Sequence, residues 1–210
     1  MRLRNKKEAK EIINNSDYLI KNEVENKGKW NKVFNNNNPI YIEIGCGKGD
    51  FIIENAKRYP NINFIGIEMY DTVLMYAINK LKDEKLNNLK FIRMDARLIE
   101  DVFDKEIDLI FLNFSDPWPK NRCAKRRLTH ERFLKRYDNI FKNNKTIFFK
   151  TDNTSLFEFS IESLSVYGYT LKNVSLDLHN SNYGENIMTE YERKFSEKGN
   201  KINRLEAYKD

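Results

Sequence analysis

Cysteine and histidine are scarce, with two of each in 210 residues. Cys46 and Cys123 lie far apart without a CxxC pairing, and His130 and His179 are isolated. A zinc site is therefore not expected, no metal is demanded, and the thiols read as reduced, as in the cytosol. Long apolar runs are missing too. Runs such as LIFL at 109–112 fall far short of the ~20 residues that cross a bilayer. The charged start, MRLRNKKEAK, leads into no apolar core of signal-peptide type, so a cytoplasmic protein is expected. Proline is rare as well. Two of the four prolines, Pro117 and Pro119, fall together in the stretch SDPWPK.

What remains suits one compact domain: 40% of residues are hydrophobic and 13% aromatic. Residues 1–38 read as a basic arm and loop and residues 39–210 as the domain proper. The formal net charge of +6 favours an anionic partner, nucleic acid first. A chain rich in Lys, Asn and Ile can reach that charge through residue usage alone, so clustering matters more than the total.

The arm, NKKEAKEIINN, has helical character, and NKGKWNKVFNNNNPI reads as a loop. A regular alternation follows. PIYIEIG, NINFIGIE, NLKFIRMD, IDLIFLNF and KTIFFKTD are strand-like. DFIIENAKRY, DTVLMYAINKLK, the brief ARLIEDVF, THERFLKRYDNIFK and TSLFEFSIESLSVY carry helical spacing. YTLKNVSLDL and TEYERKFSEKG read as two closing strands without a helix between them. The expected fold class is α/β, a Rossmann-like, mainly parallel sheet with an antiparallel edge.

In such a sheet ligands bind beyond the carboxyl ends of the strands. Those ends carry Glu43, Glu68, Asp95, Asp116 and Asp152. Any one of them reads equally as a helix N-cap or turn former. Five in succession point to one polar ligand across the sheet edge. GCGKG follows Glu43 and supplies Gly45, Gly47 and Gly49. A dinucleotide fingerprint, GxGxxG, needs its third glycine where Asp50 stands. GxGxG after an acid suits S-adenosylmethionine instead. Glu68 would then accept the ribose hydroxyls, Asp95 the adenine amino group, and Ala96 would supply a backbone N–H. A nicotinamide reading shares the ribose acid but leaves Asp95 without a role.

Residues before proline leave the helical region, so Asp116 to Pro119 is predicted to run extended and stiff. Asp116 can hold a ligand edge, Trp118 offers an aromatic surface, and Lys120 can neutralise a phosphate. An ordinary turn around a core tryptophan is the simpler alternative. From 122 to 136 the chain carries seven cations (Arg122, Lys125, Arg126, Arg127, Arg132, Lys135, Arg136) against Glu131. That imbalance favours contact with a nucleic-acid backbone over a solvated face of mixed sign. A second basic cluster, Arg2, Arg4, Lys6, Lys7 and Lys10, lies in the arm.

IEIGCGKGDFI, NFSDPWPKNRCAKRRL, FKTDN, TEYERKF and the N-terminal MRLRNKKEAKEII together resemble the tRNA (guanine-N7)-methyltransferases over essentially the whole chain. The resemblance implies a class I methyltransferase fold, S-adenosylmethionine as donor, and a guanine of the tRNA variable loop as acceptor. It implies cofactor contacts for Glu43, Gly45, Gly47, Glu68, Asp95, Ala96 and Asp116, with Asp116 as the active-site acid. Lys120, Asp152, Thr189, Glu190, Tyr191 and Glu192 would form the guanosine site, and Arg122, Lys125, Arg126 and Arg127 would engage RNA. Asn121 and Cys123 stand where the family commonly has a basic residue and a histidine. The resemblance implies no DNA partner, and a monomer or homodimer. Three other readings remain at this point: a methyltransferase for another substrate, a nicotinamide oxidoreductase, and an RNA-binding protein without catalysis.

Overall fold

Alternating strands and helices dominate the computed structural model, which describes residues 6–210; Arg2 and Arg4 lie outside the described residues. The chain runs α1 (Ala9–Asn14), β1 (Leu19–Ile20), α2 (Trp30–Phe34), β2 (Ile40–Ile44), α3 (Asp50–Arg58), β3 (Asn63–Glu68) and α4 (Asp71–Asn79). It continues through β4 (Leu89–Arg93), α5 (Ile99–Val102), β5 (Leu109–Asn113), α6 (Glu131–Asp138), β6 (Lys145–Thr151) and α7 (Thr154–Val166). It closes with β7 (Thr170–Ser175), α8 (Glu190–Ser196) and β8 (Asn203–Lys209).

The strands form one sheet in the order β1-β4-β3-β2-β5-β6-β8-β7. All neighbours are parallel except β8, which runs antiparallel to both β6 and β7. The mainly parallel α/β sheet with an antiparallel edge is thus as the residue pattern predicts. Strand order reverses at β2, whose two neighbours are β3 and β5. A crevice opens at such a reversal because the connecting segments leave toward opposite faces.

Side-chain alternation splits the core in two. Ile42, Ile44, Ile110, Leu112, Ile147 and Phe149 face Trp30, Tyr137 and Phe157 on one side. Phe64, Phe91 and Phe111 face Phe51, Ile52, Leu74 and Ile78 of α3 and α4 on the other. Local signals set the helix starts. Asn153 Oδ1 accepts the Leu156 N–H (2.8 Å) to cap α7, and His130 Nδ1 accepts that of Arg132 (3.1 Å) to cap α6.

The closing segment differs from the expected strand pair. TEYERKF is helical, because Thr189 Oγ1 accepts the Glu192 N–H (2.9 Å) and starts α8 there. Thr-x-x-Glu is a capping signal that was readable in the sequence. The partner of β7 is instead β8, which places Leu205 and Ala207 in the core. The supposed loop also holds α2, and the edge strand β1, whose Leu19 pairs with Phe91, lies between that loop and the helical arm.

Residues 9–34 pack onto the body. Ala9, Ile13, Leu19, Trp30 and Phe34 are buried. Trp30 Nε1 donates to the Val102 carbonyl (2.9 Å), and the Glu106 carboxylate accepts the N–H groups of Gly28 and Trp30 (both 2.9 Å). Among the described residues no helix is long and apolar enough to cross a membrane. Because Trp30 has no exposed surface, Trp30→Ala is expected to cost roughly 3–5 kcal/mol in urea unfolding. A loss under about 1 kcal/mol would mean that this stretch docks only loosely.

Candidate active site

Beyond the carboxyl end of β2 the backbone turns through Gly45 (φ +79°) and Gly47 (φ +59°), a left-handed path that side chains disfavour. The N–H groups of Gly45 and Cys46 donate to the Ile67 carbonyl (2.8 and 3.0 Å), which ties the turn to β3. Glu68 then accepts the N–H groups of Gly47 (3.2 Å), Met69 (2.8 Å) and Tyr70 (3.0 Å). Burial raises its carboxyl above the ordinary value, those three donors oppose the rise, and the charge of Asp116 adds to it. Asp116 is itself exposed.

Glu43 lies deeper, with only 1% of its surface exposed. Asn113 Nδ2 donates to its Oε1 (2.8 Å), while Oε2 is buried with no hydrogen-bond partner among the described residues. Burial pushes this carboxyl up to about 8, against the pull of Asn113 and the Lys150 charge. A bare acceptor of this kind fits a ligand ammonium. Asp95 lies two residues beyond β4, accepts the Arg97 N–H (2.9 Å) and pairs with the Arg97 guanidinium (2.7 Å). The Arg97 hydrogen bond holds its carboxyl below the usual range. Ala96 begins the short 3-10 turn that Asp95 caps. An orphaned acid, a cradle of glycines and two further acids suit S-adenosylmethionine, which carries an ammonium, two ribose hydroxyls and an adenine edge.

The loop after β5 departs from the extended path predicted for it. Phe114 (φ +52°) and Trp118 (φ +42°) are both left-handed, at a cost of roughly 1–2 kcal/mol for a non-glycine residue. Arg127 supplies the reason. Its Nε donates to the Pro117 carbonyl (3.0 Å) and its Nη2 to that of Trp118 (3.1 Å). Arg126 sits over the Trp118 ring, 4.8 Å from its centroid.

Helix α8 brings the TEYE residues to the site in unequal ways. Tyr191 stacks on Phe195 (4.1 Å between centroids), packs on Phe114 (5.1 Å), and donates from its hydroxyl to Asp152 (3.3 Å). Glu190 pairs with Lys48 of the glycine turn (2.6 Å). Thr189 spends its hydroxyl on the cap. Glu192 points away from solvent: it is fully buried and pairs with Lys150 (2.6 Å), His179 (3.1 Å) and Asn186 (2.6 Å).

The basic cluster divides in the same way. Lys120, Arg122, Lys125 and Arg126 are exposed, whereas Arg127 is 9% exposed and turned inward, apart from any RNA-facing patch. Lys135 and Arg136 pair with Glu131 (2.6 Å) and Glu100 (2.5 Å). Sequence reasoning missed Lys150, Asn113 and Phe114. A lysine inside the apolar run TIFFKTD was the available signal for the first.

The sheet order, the glycine turn at its reversal and the acids around it define a class I methyltransferase fold. Two solved structures share it: an antibiotic-related methyltransferase (TM-score 0.65, 19% identity, 87% of this chain and 92% of that one) and a 16S rRNA methyltransferase (TM-score 0.63, 10% identity, 86% and 91%). A family model described as "Putative methyltransferase" matches residues 37–205. The chain is 52% identical over 212 residues to the tRNA (guanine-N(7)-)-methyltransferase of Lachnoclostridium phytofermentans, covering 100% of this chain and 99% of that protein. It is 51% identical over 209 residues to the Bacillus subtilis enzyme of the same name (99% and 98%). The chain belongs to the tRNA (guanine-N7)-methyltransferase family.

Glu43 also marks the pH response of the free protein. Burial holds a proton on its folded carboxyl to a higher pH than on the unfolded one, so this group's contribution to stability is full at acid pH and declines as pH rises from 4.5 to about 8. The slope from this group is about 1.4 kcal/mol per pH unit. Glu43→Gln is expected to flatten that decline in denaturant unfolding followed from pH 5 to 8 and to weaken cofactor binding. An unchanged slope would show that Glu43 stays ionised in the free protein.

Proposed function

We propose that this chain transfers the methyl group of S-adenosylmethionine to N7 of a guanine in the variable loop of tRNA, forming 7-methylguanosine. One observation carries the reading. The glycine turn with Glu43 and Glu68 adjoins the loop of Asp116 and, through the Phe114–Tyr191 contact, the Asp152–Tyr191 pair, with exposed Arg122, Lys125 and Arg126 on the same loop.

Bound S-adenosylmethionine supplies a methyl group on a sulfonium sulfur, already electrophilic without help from the protein. Glu43 Oε2 would accept from its ammonium, Glu68 from its ribose hydroxyls, and Asp95 with the Ala96 N–H would meet the adenine edge. Guanine N7 carries an in-plane lone pair and no proton, so no general base is needed, and no histidine or cysteine has to act. Positive charge grows on the purine during transfer. Carboxylates held at the base, Asp116 and Asp152, offset it. Tyr191, stacked on Phe195, offers an aromatic face to a splayed base. Lys120 neutralises an adjoining phosphate, Glu190 orders the glycine turn through Lys48, and Glu192 with Thr189 fixes α8. Arg122, Lys125 and Arg126 track the RNA backbone, which makes binding salt-dependent. With tRNA as partner, the cytoplasm is the compartment.

Incubation with labelled S-adenosylmethionine and unmodified bulk tRNA, followed by nucleoside analysis, tests the reading. Label in 7-methylguanosine is expected, with turnover by Asp116→Asn reduced ~100-fold or more. Label in a different nucleoside would overturn the acceptor. Near-normal turnover by Asp116→Asn would remove Asp116 from the chemistry.

A further inference from the structure

Arg127 belongs by sequence to a run of RNA-facing cations, yet its guanidinium closes a turn of its own chain. Its two donated bonds go to adjacent carbonyls, Pro117 and Trp118 (3.0 and 3.1 Å). In an extended chain successive carbonyls point to opposite sides. Both meet one fork here because Trp118 is left-handed at φ +42°. Behind the fork the Phe159 ring of α7 lies 4.4 Å from the guanidinium carbon, and Arg127 is only 9% exposed. A backbone in a disfavoured region persists where its surroundings over-determine it. The planar fork supplies that constraint, and a lysine, with a single point of charge, cannot span both carbonyls in the same plane.

We propose that Arg127 is a positioning residue for methyl transfer: by clamping the Pro117 and Trp118 carbonyls against α7, it holds Asp116 at the sheet edge beside Glu68. Burial raises the carboxyl of Glu68 and the charge of Asp116 adds to the rise, in keeping with that placement. Charge on Arg127 is thereby spent inside the protein, and the neighbouring Arg126, exposed and stacked on Trp118, is left to face RNA. The activity arm of the test rests on the methyl-transfer reading above; the fluorescence arm does not.

Arg127→Lys is compared with wild type by steady-state kinetics on tRNA over a salt series, and by acrylamide quenching of tryptophan fluorescence. Trp30 has no exposed surface, so quenching reports on Trp118. The expected pattern is a kcat lowered tenfold or more, a tRNA KM within twofold, an unchanged slope of log kcat/KM against log salt, and a quenching constant at least doubled. Phe159→Leu, which keeps the charge and removes the ring behind it, is expected to show the same pattern with a threefold fall in kcat. This second variant decides the matter if the first does not fold. A phosphate contact would give the opposite signature in Arg127→Lys: raised KM, retained kcat and an altered salt slope. That result, or quenching unchanged in both variants, overturns the proposal. If wild-type protein labels no tRNA, the function reading fails, and the quenching constants alone decide whether the clamp exists.

Discussion

A lysine in the interior of a sheet must be neutralised where it stands, and much of this molecule is arranged around that demand. Lys150 is 5% exposed on β6. Its ammonium pairs with Glu192 (2.6 Å) and donates to the Ile187 carbonyl (2.9 Å) and Asn186 Oδ1 (3.2 Å). Burial draws its pKa down and Glu192 draws it back up. Removing one member of such a pair typically costs 3–5 kcal/mol, because the other is left charged and dry. The pair therefore fastens residues 186–192 to β6. Once Glu192 is anchored, the first turn of α8 follows: Thr189 caps it, Glu190 reaches Lys48, and Tyr191 reaches Asp152. The Lys150 charge also restrains Glu43, and its carbonyl accepts the Phe114 N–H (2.8 Å). One buried cation thus ties the end of β2 to the first turn of α8.

Two kinds of turn meet at that edge, and they differ in what keeps them in place. The turn after β2 uses Gly45 and Gly47, for which positive φ carries little penalty, and a ligand can approach its backbone closely. The turn after β5 puts Phe114 and Trp118 into the same region, where side chains resist it. It holds because Tyr191 packs on Phe114, Arg126 covers Trp118 and Arg127 takes two carbonyls. The acid presented by that turn, Asp116, is thus positioned by side chains from α6's leading loop and from α8 rather than by its own strand.

The alternation from β2 to α7 was legible because period and burial coincide there: each strand is buried on both faces and each helix buries one stripe. The five acids were legible for a related reason, since parallel strands all end on one edge. Two elements misled. TEYERKF has the aromatic and charged mix of an edge strand, and its capping signal outweighed that composition. NRLEAYK went unread because its inward residues, Leu205 and Ala207, are few, and its Arg204 and Glu206 are buried against each other (2.5 Å). The charges assigned to ligands also sorted late. Arg127 and Glu192 look like their exposed neighbours in sequence, and nothing local separates Arg127 from Arg126.

The sequence alone determined the alternation from β2 to α7, the glycine turn, the acids at the strand ends and the family, because these rest on local periodicity, backbone freedom and contiguous motifs. Only the tertiary structure decided which charges face solvent and which serve the fold. Lys150 and Glu192 are 42 residues apart in the chain, and Glu43 and Asn113 are 70 apart. The role of a charge depends on whether folding brings it a partner out of reach of water. That is a property of distance in space, which spacing along the chain does not contain.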